Sequence, residues 1–432
     1  MKLKNVFYTA ILLILVLASC APKPAPTTET TPTEIASPVG AAVTPTQAAG
    51  TKSLQIIGPW ISSEADAFEY VLDGFREKTG IDVTFEGTAD VNAPLTTRIA
   101  AGNPPDLAIL AVAKGLKDLV AQGALIPLDS FANEITSNFS TGWIDQFTID
   151  GHVYAIPTRA NIDDCLWFNP EVVTTPPTSW SELLSYCDSV KAEGGNCIAG
   201  TGKDVWPLDM TFESIYKATF GLKQWNALLK HEIPWNDPSV VEAFNREAIF
   251  YGDKYAAGGS AGALGTGLVD GMARVFGATS DTRFVNAGSW GVGLVLDAIN
   301  KDLVEGKTID YVIFPGEPAG DGTILAAADV AVLLVDSPEA RALMSYLIST
   351  EGQARFAPNG FPVANKNVDP SAYSGLTAKS AGLLAKSEVG PDISTPLSYD
   401  FVSQIDQALG AAILDPSSIQ SILDNLEANF KG

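Results

Sequence analysis

The chain carries few groups with which to do covalent chemistry. His152 and His231 are the only histidines in 432 residues, and neither sits in a partner motif. No Gly-x-Ser-x-Gly turn presents a nucleophile, and no His-Glu-x-x-His pair offers zinc ligands. Asp163 and Asp164 cannot serve as facing acid and base, because neighbouring side chains on an extended chain point to opposite faces. A solvated or hinge-capping role is expected for them. Gly262, Gly265 and Gly267 suggest a phosphate cradle, but no Lys-Ser/Thr follows. The uncharged, glycine-rich stretch 256–271 therefore reads as a mobile loop. No cysteine spacing matches a metal site, and neither a metal nor a cofactor is expected. The residues point away from an enzyme.

Eight tryptophans say more. Trp180 and Trp225 fall at helical apolar positions and Trp235 lies in IPWNDP, so all three are expected to be structural. Trp60 follows the first strand-like run, Trp206 follows the loop after Cys197-Ile198-Ala199, and Trp290 lies in GSWGVG. These three are expected at loop edges, where core packing and ligand stacking both remain open. An indole face stacks on the C–H-rich face of a sugar ring while carboxylates and amides take its hydroxyls, and a cage of indoles also suits a quaternary ammonium.

The elements that must position these residues alternate between strand and helix. Leu54-Gln55-Ile56-Ile57 reads as a first strand, broken by Gly58-Pro59. Residues 64–79 form an amphipathic helix with Phe68, Val71, Leu72 and Phe75 on one face and Gly80 as its stop. A second strand follows at Ile81, Val83 and Phe85. In RIAAGNPPDLAIL (98–110), Pro104-Pro105 ends a helix, and Leu107-Ala108-Ile109-Leu110 reads as a strand buried on both faces. Residues 153–156 form a strand closed by Pro157, and Leu166-Trp167-Phe168 forms another. Ser179-x-x-Glu182 is a capping box. Later strands are expected at 311–314 and 331–335, with helices after Pro338 and at 419–430. The alternation implies an α/β fold with largely parallel sheets.

Of the four cysteines, Cys187 and Cys197 flank a hairpin-like return through Gly194-Gly195 and are the expected disulfide, leaving Cys165 as a buried free thiol. The fourth, Cys20, belongs to a different kind of segment. Lys2 and Lys4 precede an apolar run from Val6 to Leu17 and then Leu17-Ala18-Ser19-Cys20. A basic start and so short a run read as a secretory signal, not a membrane span. The ending looks like a bacterial lipobox, in which Cys20 becomes the lipidated first residue; the alternative is a plain signal with an incidental cysteine. Residues 21–51, rich in Pro, Thr and Ala, read as a disordered spacer. The formal net charge of −23 argues against nucleic acid as a partner.

The segment A-G-x-x-P-D at 101–106 resembles family 1 extracellular solute-binding proteins, the sugar-capturing subunits of bacterial ABC importers. The resemblance runs from about residue 54 to 431. It includes GPWISSEADAFEYVLDGFREKTGIDVTFEGT (58–88), IDGHVYAIPTRANIDDCLWFNP (149–170), PTSWSELL (177–184), HEIPWNDPSVVEAF (231–244) and ADVAVLL (328–334).

That resemblance implies the type II periplasmic-binding-protein fold: two α/β lobes, each a mostly parallel sheet flanked by helices, with the ligand cleft between them. Lobe 1 would comprise 52–160 and 328–372, and lobe 2 would comprise 161–327 and 373–432, following a signal peptide at 1–19 and a lipidated linker at 20–51. Chain crossings would fall near 158–162, 324–329 and 371–376. The resemblance also implies ligand-binding roles for Trp60, Trp206, Trp290 and Asp329, although Ala326-Ala327-Ala328 departs from the Gly-Asp often found before that aspartate. Glu64, at the start of the first helix, and Arg159 and Asn161, at the first crossing, are further candidates. The implied protein is a monomeric lipoprotein receptor outside the cytoplasm, held to the membrane only by its lipid. It would pass a mono- or oligosaccharide to an ABC permease. A peptide, polyamine or osmolyte is the alternative solute, and an exported hydrolase the alternative class.

Overall fold

The computed structural model of the chain describes residues 53–88, 90–316 and 322–430. The leader, Cys20 and the spacer lie outside the described residues. Residues 51–432 form one compact unit. Its strands, in chain order, are β1 (Leu54–Gly58), β2 (Val83–Gly87), β3 (Leu107–Leu110), β4 (Thr148–Ile149), β5 (His152–Val153), β6 (Ala155–Ile162), β7 (Cys165–Phe168), β8 (Phe284–Asn286), β9 (Asp310–Ile313), β10 (Thr323–Leu333) and β11 (Glu388–Pro391).

The first sheet has the order β11-β10-β3-β1-β2, with β6 also paired to β10. β1 runs parallel to β2 and β3, while β10 is antiparallel to β3 and β6 and parallel to β11. The apolar run of β3 is buried at all four positions, as expected of a strand covered on both faces. The helix Ser63–Thr79 covers this sheet with Phe68, Val71, Leu72 and Phe75, all fully buried. It ends as its sequence requires, at Gly80 with φ 69° and its N–H on the Arg76 carbonyl.

Three expectations change. The second sheet, β8-β7-β9, is antiparallel throughout, because β7 enters from the crossing and runs against both neighbours. Pro157 does not close a strand: β6 continues through it to Ile162. The register passes from Asp329↔Arg159 to Val330↔Pro157, so Thr158 is an extra residue on β6. A bulge accommodates a residue that cannot donate to the ladder and re-aims its neighbours. The Thr158 hydroxyl fixes it by donating to the Asp329 carbonyl at 2.7 Å. Finally, 256–271 is not a loop: helices occupy Gly259–Gly265 and Leu268–Phe276. Its glycines permit backbone contact, since a Cβ on Gly271 would lie 2.5 Å from the Gly200 carbonyl oxygen.

Cys187 and Cys197 are bridged, with their Cα atoms 5.2 Å apart, and Cys165 is a buried free thiol.

Candidate functional site

A cavity of about 1550 Å³ opens beside the carboxyl end of β3. One wall comes from residues 92–96 and 112–122. The other comes from residues 204–210, Trp290 and the segment from Asp392 to Gln407. The carboxyl end of β3 leads straight into the first wall, where ligands sit in open α/β sheets.

Trp206 and Trp290 meet in this cavity, with ring centroids 6.0 Å apart and planes inclined at 51°. Trp206 is 41% exposed although aromatic. It is held by a γ-turn: Val205 has φ 69° and ψ −61°, and the Trp206 N–H donates to the Asp204 carbonyl at 2.9 Å. This turn form is rare and strained, more so for a β-branched residue. Trp290 depends on its glycines, since a Cβ on Gly288 would stand 2.2 Å from the indole nitrogen. On the opposite wall Val112 and Ala113 also have positive φ, 42° and 56°. Strained backbone therefore borders the cavity on both sides, as is common where a fold presents groups to a ligand.

The remaining sequence candidates form a separate network behind the first wall. Trp60 is only 2% exposed, packed edge-on against Phe68 at 4.8 Å, and its indole N–H donates to Asp329 Oδ2 at 2.8 Å. Asp329 Oδ1 accepts the Val112 N–H at 3.1 Å. The Arg159 guanidinium lies 3.3 Å from Asp329 and also pairs with Glu64. The bulge at Thr158 sets Arg159 opposite Asp329. Asn161, half-buried and two residues along β6, lies opposite Ala327. The network touches the cavity through Val112.

Residues that the sequence reading did not select form the other end of the cavity. Seven aspartates line it against two lysines, Lys114 and Lys117. The helix Pro207–Phe220 is buried over eleven consecutive residues, Pro207 to Lys217, including Asp209 and Glu213. Asp163 and Asp164 are buried rather than solvated, and Asp164 pairs with Lys217 at 2.5 Å. Burial, followed by the charge of Asp392, pushes the carboxyls of Asp163 and Glu213 well above the usual range. Burial and the nearby Asp406 do the same for Asp209, and burial raises Asp406 to about 6. Such groups can donate hydrogen bonds when protonated and accept them when ionised, so they suit a ligand rich in hydroxyls. Asp163, Glu213 and Asp392 also bring oxygens close enough together to hold a cation. The spacing Asp209–Glu213–Lys217 marked one helical face in the sequence, but nothing local connected it to Asp392 or Asp406.

His152 pairs with Asp129 and His231 with Glu427, both away from the cavity lining.

Comparison with known proteins agrees with this architecture. The chain is 30% identical over 360 residues to the osmoprotective compounds-binding protein GgtB of Synechocystis sp., covering 78% of this chain and 82% of that one. It is 24% identical to the alpha-glucosides-binding periplasmic protein AglE of Rhizobium meliloti, covering 77% and 76%. The fold superposes with a TM-score of 0.74 on AcbH, a bacterial solute receptor with an exclusive preference for β-D-galactopyranose, at 21% identity and covering 88% and 98%. The chain shares the type II periplasmic-binding-protein fold of its structural neighbours. Residues 61–354 match the family described as bacterial extracellular solute-binding protein, and the chain belongs to that family.

Proposed function

We propose that the protein captures a carbohydrate between its lobes and delivers it to an ABC permease, acting as a receptor and not as an enzyme. The observation that carries this reading is the pair Trp206 and Trp290, half-exposed in a cavity whose lining includes seven aspartates. The indoles stack on the sugar ring, and the carboxyl groups take its hydroxyls. The Trp60–Asp329–Arg159–Glu64 network acts through position, holding the Val112 turn at the cavity mouth. Asn161 belongs to the same frame. The lobes divide near 160 and 328, and closure about the crossings buries the ligand. The protein works as a monomer outside the cytoplasm, tethered through lipidated Cys20.

The acidic lining also supports a second reading, an osmolyte with a quaternary ammonium held between the indoles. A thermal-shift screen separates the two. Glucosides, galactosides, glycosylated polyols and betaine-type osmolytes are tested singly, and a ligand at a hundred times its Kd stabilises by about 2.7 kcal/mol. A carbohydrate that stabilises and is recovered intact supports the receptor. Stabilisation by quaternary ammonium alone selects the second reading, and turnover of the carbohydrate overturns both. Cys20→Ala is expected to release the protein from membranes without altering its affinity.

A further inference from the structure

Asp163, Glu213 and Asp392 arrive from three separate parts of the chain. Asp163 follows β6 where the chain leaves the first sheet, Glu213 stands on the helix Pro207–Phe220, and Asp392 follows β11. Each brings a carboxylate oxygen within 4.8 Å of the other two. Each also has one oxygen already fixed by the backbone. Glu213 Oε2 accepts the Ile393 N–H at 2.9 Å, Asp392 Oδ1 accepts the Ser394 N–H at 2.7 Å, and Asp163 accepts from Ala327. What remains is unusual: Asp163 Oδ2 and Glu213 Oε1 are buried and bond to nothing, in residues 3% and 0% exposed. Lys217, one helical turn from Glu213, is committed to Asp164 at 2.5 Å and to the Thr323 carbonyl at 3.1 Å.

We propose that Asp163, Glu213 and Asp392 form a binding site for a divalent cation, calcium by size, on the floor of the cleft. Three carboxylate oxygens are a hard donor set, which excludes soft metals. Calcium–oxygen bonds of about 2.3–2.6 Å let two ligands of one ion stand up to roughly 5 Å apart, whereas magnesium at about 2.1 Å limits them to roughly 4 Å. Calcium also takes about six to eight oxygens. Asp163 and Asp392 line the cavity, so water or a solute hydroxyl can complete the shell from that side. The ion would tie the segment leaving β6 to the segment leaving β11 and to a helix of the second lobe. It therefore sets the hinge as well as the charge of the cleft floor.

The test uses calcium alone, without carbohydrate, so a failed sugar screen has no bearing on it. The mature chain is stripped with chelator and titrated calorimetrically in about 0.15 M salt, which screens surface carboxylates. One saturable site per chain is expected, together with a rise in unfolding temperature and at least tenfold weaker binding of magnesium. Glu213→Gln keeps an oxygen for the Ile393 N–H and is expected to fold; it should weaken calcium at least tenfold. Asp392→Asn provides the same test through a second ligand that is not fully buried. Absence of saturable binding up to about 10 mM calcium overturns the proposal. So does binding that neither substitution weakens, since the ion would then sit on the acidic surface.

Discussion

Two sets of buried carboxyl groups stand near the cleft, one behind its first wall and one at its other end, and the fold treats them oppositely. Around Asp329 both oxygens are used: the Trp60 indole and Arg159 take one, and the Val112 N–H takes the other. Around Asp163 and Glu213, oxygens are buried with no partner, and the raised pKa values record what that costs. Burying an unpaired carboxylate is unfavourable by several kcal/mol, and proton uptake is its usual remedy. The contrast separates a frame from a receptive surface. Where both carboxylate oxygens are satisfied, as at Asp329, the residue holds position; where an oxygen is left without a partner, as at Asp163 and Glu213, something else must satisfy it.

The largest expected effect tests the frame. Trp60→Ala removes a ring packed against Phe68 and Phe356 and deprives Asp329 of its indole donor. Truncating a buried tryptophan costs about 3–5 kcal/mol. Denaturant unfolding of the ligand-free protein should register that loss. A change below about 1 kcal/mol would remove Trp60 from the frame and return it to the list of ligand contacts.

The next effect tests the acidic side through pH. Asp406 has a folded pKa of about 6, against 3.8 for the ordinary group, and burial is the cause. Between these values the folded state holds a proton that the unfolded state has released. Its contribution is thus fully present below about pH 4 and is lost as pH rises through 6. Asp406→Asn keeps an oxygen facing Asp209 and cannot ionise. The variant should match the parent near pH 4 and exceed it at pH 7 by at most about 3 kcal/mol. Parallel stability curves across that range would show that Asp406 ionises freely in the fold.

Much of the frame was legible because its causes are local. Gly80 stops one helix, Ser337 caps another through its hydroxyl before Pro338, and the all-apolar β3 declares its own burial. The disulfide followed from a short loop with turn glycines. What escaped depends on distant chain. Pro157 reads as a strand stop, and only its pairing with Val330 shows that a bulge absorbs it. The glycines of 256–271 read as mobile because their partner, the backbone at Gly200, is remote in sequence. Trp206 and Trp290 are legible by residue type only as indoles at loop edges, and the fold brings both to the cavity. The carboxyl groups opposite them are not legible, because Asp209 and Glu213 acquire their meaning from Asp392 and Asp406.

A third measurement compares the two classes of tryptophan directly. Trp206 is 41% exposed where Trp60 is 2%. Trp206→Ala should therefore leave ligand-free stability within about 0.5 kcal/mol. Loss of stacking, worth about 0.5–1.5 kcal/mol, together with lost burial should weaken the screened ligand about tenfold. Binding calorimetry and unfolding on the same sample give both numbers. A stable variant with unaltered affinity would empty the cavity of its proposed role.

The smallest expected effect lies one residue away and asks whether strain at the cavity rim is functional. Val205 holds φ 69° and ψ −61° in the turn that presents Trp206. A β-branched residue there is strained by about 1–3 kcal/mol, and glycine adopts the same angles without a steric penalty. Val205→Gly relieves the strain but also frees the unfolded chain, a cost of about 0.5–1 kcal/mol. The side chain itself is 44% exposed, so little packing is lost. Net stability should rise by about 1 kcal/mol, the difference between mid-range values of the two. Affinity should move the other way, falling a few-fold, because a turn that no longer excludes alternative angles must be ordered when the ligand binds. The rise in stability with a fall in affinity is the signature of strain kept for presentation. If both improve together, the strain at Val205 is incidental, and Trp206 is positioned by its contact with Trp290 alone.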